Sequence, residues 1–467
     1  MPVNVLHLIE RLTLGGASRA LLASATFSTR KGFAKHRVVS LLPAQPAAVD
    51  RISMAGLALA PVVELSRWIG DADIVHIHFW NNPDLYKALE SDLPPARIVL
   101  TCHVGGLTAP QVLTPEVVGF ADSILVTSRH TLEEANDALL QKAIYAPSAA
   151  DFDRLAAVAP SPHAFFNIGY IGTVDFGKMH PRYAAMHAAI DIPEVRVIVC
   201  GHGAASAALA KQSAVLGSAH RFDFRGYVDD IAPVLSILDV FGYPLCEDNY
   251  STSELVLQEV MFAGIPSVVF SDGGAARVVA DGETGFVVDS EADYIERITY
   301  LHSHPDERAR MGAAASAHAR ARLGVENLAP LVDSAYSRLM DMPKRVRSAV
   351  APLRGAEAFI RSLGATGDVF RVSQSAELAV AMAADETIAH VSPALASASG
   401  GGVLHYRRSY PNDPMLRLWS GLVLLGQRRP ALAAAEFKAA TKLGCQDSRG
   451  SLYFARAALA ADGNLSV

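Results

Sequence analysis

Cysteine is scarce in this chain, with four residues in 467 and no C-x-x-C pair among them. Such scattered cysteines exclude a disulfide framework and a cysteine-rich zinc site, and reduced thiols in a cytosolic protein explain them best. Uncharged stretches are too short to span a bilayer, and the N-terminus lacks a basic segment followed by a long apolar run. The sequence therefore predicts a cytoplasmic protein, at most peripheral at the inner face of a membrane.

Positive charge is also in short supply, since 41 lysines and arginines against 47 acids give a formal net charge of −6. A nucleic-acid-binding surface needs net basicity, so nucleic acid is not expected as a partner. Charged residues make up only 19% and hydrophobic residues 51%, which suffices for the cores of two or three domains. The basic run Lys344–Arg347 is interpreted as a solvated helix face, because a few charges make only a weak membrane anchor.

Short apolar runs alternate with longer helical segments up to about residue 320. Near-continuous apolar strands separated by helices are typical of parallel sheets covered on both faces, so the pattern predicts the doubly wound α/β class. The pattern breaks over Ala146–Pro162, so two Rossmann-like domains with a ligand cleft between them are expected. The predicted strands are Val3–Ile9, Arg37–Leu42, Ile74–Phe79, Ile98–His103, Ile124–Thr127, Phe165–Ile171, Val195–Cys200, Phe222–Phe224, Val240–Tyr243, Ser267–Phe270 and Gly285–Val288.

The C-terminal part has a different character. Residues 305–340 are predicted to be helices, and a small β-α-β element is predicted over Asp368–Val372, Ala376–Ala384 and Ile388–Val391. The predicted domains are therefore an acceptor domain at 1–155, a nucleotide-sugar domain with returning helices at 156–340, and an α-rich appendage at 341–467.

The helical tail carries one repeat-like signal. Small, small, aromatic and small residues occupy tetratricopeptide-repeat positions, and Ala455 lies 34 residues after the first of them, where a second repeat would place it. An ordinary Ala-rich hairpin explains the pattern equally well, and one and a half repeats cannot bury a core alone. A protein partner or a homo-oligomer is therefore one expectation for this tail. The matching residues are Gly421, Ala433, Phe437 and Ala440.

The strongest chemical signal is Thr252–Pro266 (TSELVLQEVMFAGIP). It predicts a helix with N-cap hydroxyl groups at Ser251–Ser253 and a stop at Gly264. Glu259 falls at a core-facing level, where a buried carboxylate needs partners such as two ribose hydroxyl groups. The free N–H groups at the helix start suit a diphosphate. Taken alone, an amphipathic helix with Glu259 exposed fits at least as well.

Glycine turns surround this helix in the sequence. Each alone only closes a βα unit, but five in order at strand ends form a more specific pattern. Lys178, in the first turn, would act as a point charge on phosphate. The turns are Gly172–Lys178, Gly201–Gly203, Arg225–Asp229, Asp272–Gly274 and Asp281–Gly285.

Over roughly residues 1–340 the sequence resembles glycosyltransferase family 4, a group of retaining GT-B enzymes. Gly172 and Lys178 match the family's diphosphate-holding G-R-L-x-x-x-K-G segment, and Gly201 with Gly203 matches its G-x-G beside the base. The family's E-x-M-x-x-G-x-P run, whose glutamate binds the donor ribose, is matched by Glu259, Met261, Gly264 and Pro266.

The first half agrees with this resemblance. Gly15 and Gly16 match the glycine loop that closes over the phosphates, and Asp73–His78 resembles the family's D-V-V-H-x-H strand. Thr101–His103 resembles its T-x-H strand end, whose histidine lies beside the transferred sugar. A role as hydrogen-bonded core residues explains His76 and His78 at least as well.

Three departures separate this chain from the family pattern. Thr173 replaces an arginine that would contact the diphosphate in bidentate fashion. Ser251 stands where the first of two paired glutamates is expected, and Glu254 points roughly 140° away from Glu259 on a helix, so both cannot reach one ribose. Arg277 stands where a glutamate is frequent. Glu247 and Asp248 are alternative acids, and the Tyr250–Glu254 loop resembles a Y-G-T-T-E-N variant, which suggests a subgroup.

The resemblance implies metal-independent and cofactor-free transfer of a hexose from a nucleotide sugar, with retention, to a glycan, lipid-linked glycan or protein in polysaccharide biosynthesis. A sugar-nucleotide epimerase of GT-B fold and a non-catalytic binding protein are the alternatives. The expected catalytic residues are His103, Lys178 and Glu254. The expected donor-binding residues are Gly15, Gly16, Gly172, Thr173, Lys178, Gly201, Gly203, Tyr227, Ser253 and Glu259.

Overall fold

The structure, a computed structural model, describes residues 2–247, 249–347, 353–445 and 448–461. The chain divides into two compact units. The first unit comprises Met1–His78, Arg97–Gly105 and Asp122–Pro343. The second unit comprises Phe79–Ala96, Gly106–Ala121 and Lys344–Val467. Two segments of the N-terminal half therefore fold together with the C-terminal extension, which the sequence pattern did not indicate.

The strands in the described residues are β1 (Val3–Ile9), β2 (Ala34–Ser40), β3 (Ala58–Ala60), β4 (Ile74–Phe79), β5 (Leu93–Ala96), β6 (Ile98–Cys102), β7 (Ser123–Val126), β8 (Ala143–Tyr145), β9 (Phe166–Ile171), β10 (Val195–Cys200), β11 (Phe222–Gly226), β12 (Val240–Tyr243), β13 (Ser267–Phe270), β14 (Gly285–Val288) and β15 (Arg345–Arg347).

The α-helices in the described residues are α1 (Gly16–Arg30), α2 (Pro46–Met54), α3 (Leu65–Asp71), α4 (Pro83–Glu90), α5 (Pro115–Phe120), α6 (Arg129–Glu133), α7 (Asp137–Leu140), α8 (Tyr183–Ala189), α9 (Ser206–Val215), α10 (Ala232–Leu235), α11 (Leu255–Phe262), α12 (Glu291–Ser303), α13 (Pro305–Arg322), α14 (Val325–Met340), α15 (Gly355–Ser362), α16 (Asp368–Val372), α17 (Leu378–Ala389), α18 (Pro393–Ala396), α19 (Val403–Ser409), α20 (Pro414–Gly426), α21 (Pro430–Lys442) and α22 (Arg449–Ala461).

The first unit contains two Rossmann-like sheets, as the doubly wound pattern predicts. The strand order is β3-β2-β1-β4-β6-β7-β8 in one sheet and β11-β10-β9-β12-β13-β14 in the other. In each sheet the order reverses beside the first strand, between β1 and β4 and between β9 and β12. Ligands of open α/β sheets bind at the carboxyl ends of strands at such switch points. The loops after these four strands are therefore placed to form a site.

The structure contains every predicted strand, and most of them are buried on both faces. All six residues of β4 are buried, as expected for a central strand of a parallel sheet. The unpredicted strands β3, β5, β8 and β15 have only three or four residues each, too few to show a period. Helix α14 returns to the first sheet, where Tyr336 and Leu339 share a core cluster with Val5 and Val99.

The second unit corrects the predicted β-α-β element, since its segments are helical. Asp368–Val372 forms α16, and Ile388 lies near the end of α17. A short apolar run does not distinguish a strand from a buried helix, and packing decided here. Phe370 is fully buried, with its ring centroid 4.9 Å from that of Phe359 and 5.1 Å from that of Trp419. These aromatic contacts come from neighbouring helices.

The basic run after residue 343 is also not a helix face. It forms β15, which pairs antiparallel with β5. Arg345 donates to the carbonyl oxygens of Gly119 and Phe120 at 2.9 and 2.7 Å, and Arg347 donates to those of Phe120 and Ala96 at 2.7 and 2.9 Å. Two guanidinium groups therefore attach the C-terminal extension to both N-terminal segments of the second unit.

The tail begins with a helical hairpin, α20 and α21. An ideal Cβ on Gly421 would lie 2.4 Å from Cε1 of Phe437, so glycine lets these two helices approach closely. This contact suits either interpretation, and the tetratricopeptide repeat stays a prediction. Within the described ranges, no helix combines the length and apolarity that crossing a bilayer requires.

Candidate functional site

The glycine turns of the second sheet pack backbone against backbone at its carboxyl edge. The Gly172 N–H donates to the Cys200 carbonyl oxygen at 2.9 Å, and the Gly201 N–H donates to that of Gly226 at 2.6 Å. An ideal Cβ on Gly201 would lie 1.8 Å from the Gly172 carbonyl oxygen. On Gly203 it would lie 2.1 Å from the Val174 carbonyl oxygen. Only glycine permits this packing, which presents loop backbone toward the switch point.

Lys178 follows the first of these turns and is held by Glu254. Its Nζ lies 3.0 Å from Glu254 Oε2, and the Tyr243 hydroxyl group donates to the same oxygen at 2.6 Å. Although burial opposes the charged form, the Glu254 carboxylate raises the pKa of Lys178. Glu254 itself has φ +36°, a left-handed conformation that costs a non-glycine residue about 1–3 kcal/mol.

The prediction that Ser251–Ser253 cap α11 is wrong. Glu254 occupies the N-cap position, and no side chain caps the helix. An N-cap side chain works from extended backbone, which the left-handed Glu254 does not provide. The Ser253 hydroxyl group instead donates to the Thr127 carbonyl oxygen at 2.6 Å and accepts from the Ser148 N–H at 2.9 Å. Ser253 therefore joins the two Rossmann-like halves of the first unit.

Glu259 is fully buried, which excludes the exposed amphipathic interpretation of α11. Its Oε1 accepts hydrogen bonds from the guanidinium groups of Arg19 and Arg154. Its Oε2 has no hydrogen-bond partner among the described residues. Burial, followed by repulsion from Arg154, lowers the pKa of Arg19 to about 10. Two guanidinium groups thus face the single Glu259 carboxylate, and the nearby Asp151 carboxylate opposes the lowering of the pKa of both arginines.

His103 lies directly after β6, against the loop that leads into α11. Its carbonyl oxygen accepts from the Thr252 hydroxyl group at 3.3 Å, and the Gly105 N–H donates to the Tyr250 carbonyl oxygen at 3.2 Å. Burial lowers the pKa of His103 to about 4, so its ring is neutral at pH 7. The loop Tyr250–Glu254 thus connects His103 with the Lys178–Glu254 ion pair.

The other predicted residues lie around this centre. An ideal Cβ on Gly16 would lie 3.9 Å from Leu255 Cδ1, so the first glycine loop borders the start of α11. The Gly15 N–H donates to Thr13 Oγ1 at 3.1 Å. Tyr227 is 53% exposed, which leaves its ring open to a ligand. Thr173 contributes a carbonyl oxygen, which accepts from the Tyr170 hydroxyl group at 2.8 Å.

The departures from the family pattern have separate outcomes. Arg277 donates to Glu133 at 2.9 Å, an exposed pair between the two Rossmann-like halves that contributes little stability. Glu247 is exposed, and Asp248 lies outside the described residues. Glu254 precedes α11 and pairs with Lys178, whereas Glu259 lies within the helix and pairs with two arginines, so the predicted angle between them on a helix does not apply.

Sequence reasoning missed three contributors. Arg19 lies three residues beyond the Gly15–Gly16 pair, and an arginine in the first turn of a helix after a glycine loop was an available signal. Arg154 lies in the segment interpreted as a linker. Tyr243 ends a predicted buried strand, where its hydroxyl group suggested only core.

The close packing at Gly201 can be tested by adding one methyl group. We expect Gly201→Ala to lower the free energy of unfolding by about 1–3 kcal/mol through crowding, and to weaken nucleotide binding as the turns separate. Gly217→Ala is the matched control, because Gly217 has φ +69° with no atom within 4 Å of an ideal Cβ. Urea unfolding measures both variants, and equal losses would contradict the crowding argument.

The sequence similarity to a known family covers the second Rossmann-like half, which carries the glycine turns and α11. Residues 166–304 match the sequence family described as "Glycosyl transferases group 1". A D-inositol 3-phosphate glycosyltransferase of Corynebacterium diphtheriae is 33% identical over 137 residues, which are 27% of this chain and 31% of that protein. The match thus spans about a third of that relative. A protein of the same name from an Arthrobacter species is 25% identical over 396 residues, 73% of this chain and 90% of that protein.

The fold also has experimentally solved counterparts. The crystal structure of Anabaena HepE in complex with UDP and glucose covers 72% of this chain and 100% of its own, with a TM-score of 0.60 and 16% identity. The chain has the GT-B fold that the sequence predicts. The matched domain family and the named relatives are glycosyltransferases by name.

Proposed function

We propose that this protein is a retaining glycosyltransferase that needs no metal ion and moves a sugar from a nucleoside-diphosphate sugar to a glycan, lipid-linked glycan or protein acceptor. Synthesis of bacterial surface polysaccharide or glycoconjugate is the proposed setting. The observation that carries the proposal is the buried Glu259 carboxylate, with one oxygen bound to two arginines and the other without a partner.

The unpartnered Oε2 of Glu259 suits a hydroxyl donor. A buried acceptor without a partner costs about 1–3 kcal/mol, which a ribose hydroxyl group would recover on binding. If the second ribose hydroxyl group took the place of one arginine at Glu259 Oε1, the guanidinium group of that arginine would become available to phosphate. This supports a nucleotide whose ribose lies over the middle of α11.

The diphosphate would meet cations of the chain itself. Lys178 reaches the start of α11, where free N–H groups and the helix dipole favour an anion. Arg19 and Arg154 supply two guanidinium groups that face the single Glu259 carboxylate. We propose that they replace the arginine that the family carries where this chain has Thr173, because planar guanidinium groups suit phosphate.

The reaction would proceed by front-face attack. The bond from the anomeric carbon to the diphosphate breaks, the acceptor oxygen bonds to the same face, and the acceptor proton passes to the leaving phosphate oxygen. Both nearby carboxylates, Glu254 and Glu259, are engaged with cations, which disfavours either as a covalent nucleophile. Isolation of a glycosyl adduct on any side chain would contradict this version.

Ligand-induced stabilisation tests the donor site first. UDP and UDP-glucose are the initial probes, since UDP and glucose occupy the HepE crystal, and the other nucleoside diphosphates and their sugars complete the panel. At a hundred times its Kd, a ligand adds about 2.7 kcal/mol to stability. No stabilisation by any of them would contradict the proposal.

Lys178→Ala tests the chemistry. We expect kcat for sugar transfer to fall about 10²–10³-fold, because one preorganised donor to the leaving phosphate is lost. Lys211→Ala, at an exposed position of α9, is the matched control and should leave kcat unchanged. Radiolabelled donor with a lipid extract, inositol phosphate or oligosaccharides as acceptor gives the rate. Binding without transfer would favour the binding protein, and epimerised donor without an acceptor would favour the epimerase.

A further inference from the structure

Three buried histidines and the half-buried His103 form a continuous hydrogen-bonded row on one face of the first sheet. His36 Nδ1 lies 2.8 Å from His7 Nε2, and His7 Nδ1 lies 2.9 Å from His78 Nε2. His78 Nδ1 in turn lies 2.8 Å from His103 Nε2. Every link joins Nδ1 of one ring to Nε2 of the next. We call this row, His36–His7–His78–His103, the histidine chain.

The protons of the chain must all point the same way. A neutral imidazole has one N–H donor and one acceptor nitrogen, so the donor chosen in one link decides the donor in the next. Burial lowers the pKa of His36 and His103 to about 4 and that of His7 and His78 well below the usual value, so all four rings are neutral at pH 7. Only two arrangements remain, with all four protons on Nδ1 or all four on Nε2.

The far end of the chain decides between the two arrangements. His36 Nε2 is buried and has no hydrogen-bond partner among the described residues. Protons on Nε2 would leave a buried N–H unpaired there, whereas protons on Nδ1 leave only a lone pair. Buried N–H groups without an acceptor are the rarer of the two defects. The chain therefore runs from His36 as first donor to His103 as last acceptor.

A metal ion is the rival explanation for this cluster. Ligand atoms of His7, His76 and His78 lie within 4.8 Å of one another, near enough to share an ion. Each of their six ring nitrogens, however, already has a hydrogen-bond partner. His76 holds Thr101 Oγ1 and the Tyr336 hydroxyl group, both at 2.6 Å, while His7 and His78 have both nitrogens in the chain. A metal would have to break these bonds.

We propose that the histidine chain is a positioning device that fixes His103 with its proton on Nδ1. Its Nε2 lone pair is used by the N–H of His78, so an intact chain leaves His103 able to donate but not to accept a proton. In the proposed transfer, His103 therefore acts as a hydrogen-bond donor and not as a general base. This consequence rests on the proposed function, whereas the tautomer itself does not.

Ring-¹⁵N-histidine labelling of the full-length protein reads the tautomers directly. We expect all four rings of the chain to carry the proton on Nδ1 at pH 8, assigned by single-residue variants. His187 provides an internal reference, because its Nδ1 lies 2.8 Å from the Tyr183 carbonyl oxygen and must donate to it. Protons on Nε2 in the chain would overturn the proposal, as would a stoichiometric metal found by elemental analysis of protein purified without chelators.

Substitution of the first donor tests the relay. His36→Asp replaces this donor by an acceptor, so His7 must turn its N–H toward it, and we expect the proton of His103 to move from Nδ1 to Nε2. His36→Asn offers a side-chain amide N–H to His7 Nε2 and should keep the proton of His103 on Nδ1. An unchanged His103 tautomer in a folded His36→Asp protein would refute transmission along the chain.

Transfer rates give the second measurement. We expect His36→Asp to lower kcat by up to about 10²-fold while KM changes little, and His36→Asn to keep kcat near the wild-type value. If the wild-type protein shows the expected tautomers but transfers no sugar, the proposed function is rejected while the proposal for the histidine chain stands. Equal kcat in both variants despite a changed tautomer would reject the donor role of His103.

Discussion

Lowering the pH from 8 to 5 is expected to destabilise the first unit by several kcal/mol. The pKa is lowered by burial to about 4 in His36 and His103 and to about 3 in His76, against 6.5 for an ordinary histidine. Because the folded-state pKa lies below the unfolded one, the unfolded chain binds more protons on acidification. The stability is present above pH 6.5 and is lost as the pH falls toward 4, at about 2 kcal/mol per histidine by pH 5.

Hydrogen exchange of β1 and β4 peptides at both pH values, corrected for intrinsic rates, measures this loss. His36→Phe removes one titrating group and should reduce the pH dependence by about 2 kcal/mol. His220→Asn, at an exposed position, should leave it unchanged. Equal protection of β1 and β4 at pH 5 and pH 8 would show that burial does not lower the pKa of these histidines.

Asp385→Ala is expected to cost the second unit about 3–5 kcal/mol, the usual effect of removing one partner from a buried ion pair. Asp385 is fully buried and lies 2.9 Å from Arg449, whose side chain is only 3% exposed. The Ser373 and Tyr453 hydroxyl groups donate to it at 2.6 and 3.0 Å. The carboxylate therefore connects α17 with α22, and its loss leaves a buried guanidinium group without that charge partner.

Urea unfolding and hydrogen exchange of α22 in the full chain provide the measurement. Asp368→Ala is the control, because its pair with Arg371 is about two-thirds exposed and contributes less than about 1 kcal/mol. Asp385→Asn keeps the shape of the side chain and part of its hydrogen bonding, so its loss of stability should lie between those of Asp385→Ala and Asp368→Ala. If Asp385→Ala and Asp368→Ala lost the same stability, the buried network would not hold α22.

The local sequence carried enough information to predict the sheets and part of the site. Apolar runs gave strands such as β10 and β12 at their observed bounds, because burial on both faces requires apolar residues at every position. Glycine turns indicated the loop packing at Gly201, where a side chain cannot fit. Lys178 and Glu259 were recognised by spacing within short segments, and both proved to be ion-paired, Lys178 half-buried and Glu259 fully buried.

Contacts between distant residues could not be predicted in this way. Arg19 and Arg154 lie 240 and 105 residues from Glu259, and no local period connects them. The left-handed backbone of Glu254 reflects the packing of the loop before α11, which overrode the expected serine cap. The helical state of Asp368–Val372 likewise depended on which aromatic partners surrounded Phe370.

The sequence by itself determined the fold class and located the glycine turns at the carboxyl edge of the second sheet, because strand burial and glycine turns leave their mark on neighbouring residues. The tertiary structure alone decided the charge balance around Glu259, the histidine chain and the joining of two N-terminal segments to the C-terminal extension. Each of these depends on side chains or segments from separate parts of the chain, and their distances are fixed only when the sheets and helices pack.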